Sequence, residues 1–248
     1  MRTGRGRALA VAVMLAVGAC GSSPEPAGDP APTTATPSET DTAPAAQDIF
    51  TGVEPLSPVE PGTYFIDADV DPSTPLRAVF DIPAEGWSSW LGAVKFGPDD
   101  GHVSVSITTV VNLVTDGCAD HLAADPPVGP SVDDLVTALT ELEPFEVTTP
   151  PEDVTIYGYR GKHLEWTVPD IAFDRCDAGD VRSWIAPIDV GEPGDAFYGY
   201  TGPGYTEEFW ILDVEGTRLM IAAGRSANAP AEALAELRDV LVSIRIEP

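Results

Sequence analysis

EFWILDVEGTRLMIAA, residues 208–223, is the most informative stretch of this sequence. Two apolar runs, Glu208–Val214 and Thr217–Ala223, flank the dipeptide Glu215-Gly216. Glycine takes positive φ at little cost, so a tight turn there folds the runs onto each other as an antiparallel hairpin. Similar period-two patterning appears upstream. In His102–Val111 the residues Val103, Val105, Ile107, Thr109 and Val111 alternate with polar or small partners, and Leu76–Ile82 alternates until Pro83 stops it. Val154–Tyr159, His163–Val168 and Trp184–Ile188 read as further strands.

Two segments carry helical spacing instead. Ser131-Val132-Asp133-Asp134 predicts an N-cap with an acidic first turn, followed by Leu135, Leu139 and Leu142 on one face and a stop at Pro144. The second helix is predicted from Pro230 to about Ser243, with Leu234, Leu237, Leu241 and Ile244 facing a core. Mixed periodicities from Ile49 to Pro248, without a repeat, predict one α+β domain in residues 49–248: an antiparallel sheet flanked by two or more helices.

Composition agrees with one cored domain, at 43% hydrophobic and 21% charged residues. The charge is far from balanced: 13 basic against 40 acidic residues give −27. Such a surface repels phosphates and anionic head groups, so nucleic acid is not an expected partner.

The N-terminus reads as an address. A basic start, MRTGRGR, precedes the apolar run ALAVAVMLAV at residues 8–17. Ten residues suit a signal core and fall short of the roughly 20 that span a bilayer. Val17-Gly18-Ala19-Cys20 then resembles the lipobox of bacterial lipoprotein precursors. The resemblance implies cleavage after residue 19 and a lipidated Cys20, with several acyl chains forming a firm anchor. Residues 21–48 contain six prolines, no basic residue and no aromatic or large aliphatic residue. Such a segment cannot offset its ordering entropy by burial, so residues 20–48 are expected to be a disordered tether. This places the domain on the extracytoplasmic face of the cell membrane, with the membrane itself as one partner through the anchor.

Phe80–Trp87, Ser131–Leu139, Trp210–Gly216 and Val242–Ile246 together resemble small secreted actinobacterial lipoproteins, a group that implies an architecture and no particular reaction. The Gly86-Trp87 opening, late hairpin and terminal helix are also similar to PsbP-like folds, which implies a sheet layered with helices.

If Cys20 carries lipid, Cys118 and Cys176 remain as a pair, and an exported protein makes a disulfide their default state. The rival is a metal site on Cys118, His121 and Cys176, which is one N/S ligand short of a closed tetrahedron. Asp67-Ala68-Asp69-Val70-Asp71 suggests calcium, but Pro72 and Ala78 stand where an EF-hand loop needs Gly and Glu. No metal site and no cofactor are therefore expected. His102, His121 and His163 are scattered, paired carboxylates such as Glu207-Glu208 are common in so acidic a chain, and no catalytic motif is present. Phe197–Tyr205 (FYGYTGPGY) reads as a Gly/Pro-rich loop displaying Tyr198, Tyr200 and Tyr205 as exposed ligand contacts, against which a sugar or peptide could stack.

The sequence thus points to a lipid-anchored, non-catalytic module binding a ligand, an envelope protein or a glycan. The alternatives are an extracytoplasmic hydrolase whose carboxylates only the fold brings together, and a structural envelope lipoprotein. The lipobox predicts that Cys20→Ser releases the protein from the membrane fraction, and that the native N-terminal peptide has the mass of an acylated cysteine. An unmodified Cys20 or a mature start elsewhere contradicts it.

Overall fold

A computed structural model describes residues 45–50, 56–69, 74, 76–187 and 197–247. Cys20 and most of the tether lie outside the described residues, as do Val70, Asp71 and Ile188.

The strands are β1 (Gln47–Asp48), β2 (Pro58–Val59), β3 (Gly62–Asp67), β4 (Arg77–Ile82), β5 (Trp87–Ser89), β6 (Gly92–Phe96), β7 (His102–Thr108), β8 (Asn112–Asp116) and β9 (Asp120–Ala123). Helix α1 (Val132–Glu141) follows, then β10 (Glu146–Ile156), β11 (Tyr159–Thr167), β12 (Val181–Ile185), β13 (Phe197–Tyr200), β14 (Thr206–Val214) and β15 (Thr217–Arg225), and last α2 (Ala231–Ser243) and β16 (Arg245–Glu247). They form a central eight-stranded sheet, β10-β11-β14-β15-β7-β6-β5-β2, between two four-stranded sheets, β1-β3-β4-β16 and β13-β12-β8-β9.

The hairpin at residues 208–223 sits in the middle of the central sheet. Val214 pairs with Thr217 and Trp210 with Ile221, around a turn where Glu215 and Gly216 have φ of 53° and 90°. Because side chains alternate, the hairpin serves two cores. Leu212, Val214, Leu219 and Ile221 pack with β3, β4 and the α2 residues Ala233, Leu237 and Val240. Phe209, Ile211, Met220 and Ala222 pack with α1, β8, β12 and β13.

Both helices dock on these faces. Ser131 caps α1 in a reciprocal capping box: the Asp134 amide donates to Ser131 Oγ at 3.1 Å, and the Ser131 amide donates to Asp134 Oδ2 at 3.0 Å. Glu236 of α2 accepts from the buried Trp87 indole at 2.9 Å and from Lys95 at 2.6 Å.

Cys118 and Cys176 form a disulfide 58 residues apart. It fastens the β8–β9 turn to the segment before β12, where the Asp177 amide also donates to Cys118 O at 2.8 Å. Closing a loop of that length contributes on the order of 4 kcal/mol in the chain-entropy account.

The expected α+β class, with a sheet flanked by several helices in PsbP-like layering, is corrected by this architecture. Of the described residues, strands hold 49% and helical segments 17%, so the fold is sheet-rich, with three sheets and two α-helices among those residues. The excess comes from strands without an apolar signature. β10 is an edge strand whose burial is almost nil along its eleven residues, so nothing selects for alternation there. Val154–Tyr159 is not one strand, because Tyr157 and Gly158 (φ 54° and 88°) turn β10 into β11.

Candidate functional site

The aromatic stretch 197–205 folds inward. Phe197–Tyr200 is strand β13, paired with β12 through Val181–Tyr200 and Arg182–Gly199. Period two therefore sends Tyr198 and Tyr200 to one side, and the outward position between them is the side-chain-free Gly199. Tyr198, Tyr200 and Tyr205 are 7%, 4% and 7% exposed, so the expectation of a displayed tyrosine loop is corrected. The rings join a contiguous aromatic layer. Trp184 stacks on Tyr198 at 4.4 Å, Tyr198 meets Tyr200 edge-on at 5.3 Å, and His102 stacks on Tyr205 at 5.2 Å. Phe96 closes the outer end, 5.8 Å from His102, and is 56% exposed.

The central sheet makes room for this layer with small residues. On β7 and β15 the positions facing it include Ser104, Ser106, Ala222 and Gly224. A Cβ on Gly224 would overlap the Tyr205 hydroxyl and ring, so this glycine is required by close approach. Tyr205 Oη instead shares a 2.8 Å hydrogen bond with Ser104 Oγ, and Tyr198 Oη lies 3.4 Å from both.

Behind the tyrosines lies Glu207, with no exposed surface. Tyr200 Oη donates to its Oε2. Burial pushes the carboxyl up to about 8, since a charge without water is costly; the polar hydrogens of Tyr200, Tyr198 and Trp166 pull the other way without offsetting this. Burial also raises all three tyrosine hydroxyls, as does the neighbouring Glu207 charge. Both effects favour the uncharged form of the cluster. Neighbouring Glu208 faces the opposite side of β14, so the two carboxyls form no pair.

In front of the tyrosines the surface is hollow. A cleft of about 540 Å3 is walled by Tyr198, Tyr200 and Tyr205, with Asp100, His102, Thr201, Ser226 and Asn228 among its polar members. A second hollow of about 190 Å3 adjoins it, lined by Leu56, Trp90 and Val94 and sharing Phe96, His102, Tyr198, Gly199 and Tyr205. The larger volume falls within the usual range for small-molecule sites. His102 is held at the mouth by its own amide, which donates to Ser226 Oγ at 2.8 Å, and its Nδ1 lies 3.2 Å from Asp100 O. Sequence reading assigned neither His102 nor Glu207 a role. The parity of Phe209 and Ile211 was the available signal for Glu207, since two residues back on the same face is a buried position.

The other candidates lie elsewhere. His121 Nε2 is 2.9 Å from Gly117 O, and His163 lies 3.4 Å from Glu152. Asp67 accepts from Arg77 at 2.8 Å and Asp69 from Thr74 at 2.6 Å. Among the described residues no group of His, Cys, Asp and Glu is placed to hold a metal ion.

No known family matches the sequence, and no curated protein does. Among solved structures, LpqN, described as involved in cell envelope biogenesis of Mycobacterium tuberculosis, aligns with 77% of this chain and 90% of its own at 11% identity. Its TM-score of 0.29 is too low to carry an argument about fold or function.

The buried carboxyl has a measurable signature. The Glu207 pKa is near 8 folded and about 4.5 unfolded, so its proton stays in the folded state while the unfolded chain loses its own. Its stabilising contribution is complete below about pH 4.5 and falls by about 1.4 kcal/mol per pH unit until pH 8. Equilibrium unfolding of wild type beside Glu207→Gln, which keeps shape without titrating, should show the stability difference falling across this window. A difference constant from pH 5 to 8 contradicts the assignment.

Proposed function

We propose that this chain is a lipid-anchored, extracytoplasmic binding module of the cell envelope, and that the aromatic cleft over Tyr198, Tyr200 and Tyr205 is where it holds a small ligand. The carrying observation is the cleft: a concave, ligand-sized space with aromatic walls and a few polar groups at its rim. The envelope address rests on the signal segment and Cys20, and a disulfide suits an exported chain.

Binding is favoured over hydrolysis by where the carboxyls stand. Among the described residues Asp100 is the one carboxylate lining either hollow, and Glu207 is behind the tyrosine wall, lining neither. General acid–base chemistry on a bound molecule needs groups within hydrogen-bonding reach of it. The tyrosines therefore contribute as wall and floor. Their hydroxyls point inward to Ser104 and Glu207, and their ring edges meet the cleft.

Ala227 offers a way to close this space from outside, because it is exposed and lines the cleft. The test uses mature protein, small molecules extracted from envelope, and native mass spectrometry. Wild type should retain a bound species, and Ala227→Trp should lose it with its melting temperature unchanged. Equal retention by both proteins, or none by wild type, overturns the proposal.

A further inference from the structure

The two hollows differ in chemistry and share one wall. The smaller is largely apolar: Leu56, Trp90, Val94 and Phe96 line it together with the rings of Tyr198 and Tyr205. Leu56 and Phe96 are 48% and 56% exposed, two of the six large apolar side chains left exposed among the described residues. Scattered exposed apolar residues need no explanation, but two that face one hollow beside Trp90 form a surface that gains by being covered. Leu56 is also held in place there, with its amide donating to Ser89 O at 2.9 Å. The larger hollow is polar at its rim. Asn228 uses its amide NH2 on Asp99 O and keeps Oδ1 as an acceptor, while Thr201 offers a hydroxyl and Asp100 a carboxylate.

Charge narrows the occupant further. Among the described residues neither hollow has a lysine or arginine in its wall, Asp100 is the one acidic side chain there, and the chain as a whole carries −27. An anionic group entering this cleft meets repulsion and no compensating cation. Hydroxyls suit it, because each can donate to Asp100 or Asn228 Oδ1 and accept from Thr201.

On the reading that this cleft is a ligand site, we infer that its ligand is a nonionic amphiphile: a short apolar chain lies in the hollow of Leu56, Trp90, Val94 and Phe96, and an uncharged, hydroxyl-bearing head fills the larger cleft against Asp100, Thr201 and Asn228. The junction is the shared wall of Phe96, His102, Tyr198, Gly199 and Tyr205, which presents ring edges to both parts of the ligand.

Titration calorimetry on the mature protein tests this with four probes below their micellar concentrations. Octyl glucoside has both parts, methyl glucoside lacks the chain, octyl sulfate has an anionic head and octyltrimethylammonium a cationic one. Octyl glucoside should bind about tenfold or more tighter than methyl glucoside, since several methylenes leave water, and by a similar margin over octyl sulfate, which meets the acidic wall and the net negative charge; it should also exceed octyltrimethylammonium, whose head cannot donate to Asp100 and Asn228 or accept from Thr201. Leu56→Ser and Phe96→Ser, both at exposed positions, should weaken octyl glucoside, and Leu56→Ser should leave methyl glucoside unchanged because Leu56 lines the smaller hollow and not the larger. Equal binding of the two glucosides, or insensitivity to both substitutions, overturns the chain compartment but leaves the cleft as a ligand site. A charged probe that matches octyl glucoside overturns the nonionic head. Failure of every probe overturns this inference alone, because the extract experiment with Ala227→Trp judges the binding module separately.

Discussion

Tyr205 lies across Gly224 so closely that no other residue fits beneath it. This contact sets the distance between the central sheet and the aromatic layer. Around it the same face of the sheet is reduced to Ser104, Ser106 and Ala222, so Tyr198 and Tyr205 settle into a shallow trough and reach Ser104 with their hydroxyls. A larger residue at 224 would lift the ring, and the layer carrying His102, Tyr198 and Trp184 rests against it. Packed interiors transmit such shifts because they hold few voids to absorb them.

The two sides of the tyrosine layer do different things. Inward, the hydroxyls meet Glu207 in a place without water, where the neutral carboxyl is the cheaper form. Several polar atoms there, including Ser106 Oγ and Trp184 Nε1, are buried without a hydrogen-bond partner, a cost that the surrounding apolar burial must offset. Outward, the ring edges are left as wall for a cleft whose rim comes from the ends of β6, β7 and β15. The disulfide stands behind this arrangement, joining the β8–β9 turn to the segment that feeds β12, on which β13 is hung.

Much of the scaffold was legible where one physical rule dominated. The 208–223 hairpin announced itself because both strands are buried and Glu215-Gly216 suits its turn; α1 did so through Ser131 and Asp134. Cysteine parity paired Cys118 with Cys176. Reading failed where two rules competed. Gly199, Gly202 and Pro203 gave residues 197–205 the composition of a loop, yet Gly199 is the outward position of a strand and its tyrosines are interior. β10 hid because an edge strand with both faces largely wet need not alternate. The cleft was beyond reach, because Leu56, Trp90, Asp100, Tyr198 and Asn228 meet only through long-range sheet pairing and no spacing in the chain encodes that.

The central claim is that the space above Gly224 exists to seat Tyr205, and a double-mutant cycle in equilibrium unfolding measures it directly. Gly224→Ala should destabilise the wild-type protein clearly and cost little in a Tyr205→Ala background, where the ring is gone, giving a coupling of about 1–3 kcal/mol. Equal costs of Gly224→Ala in the two backgrounds would contradict the account.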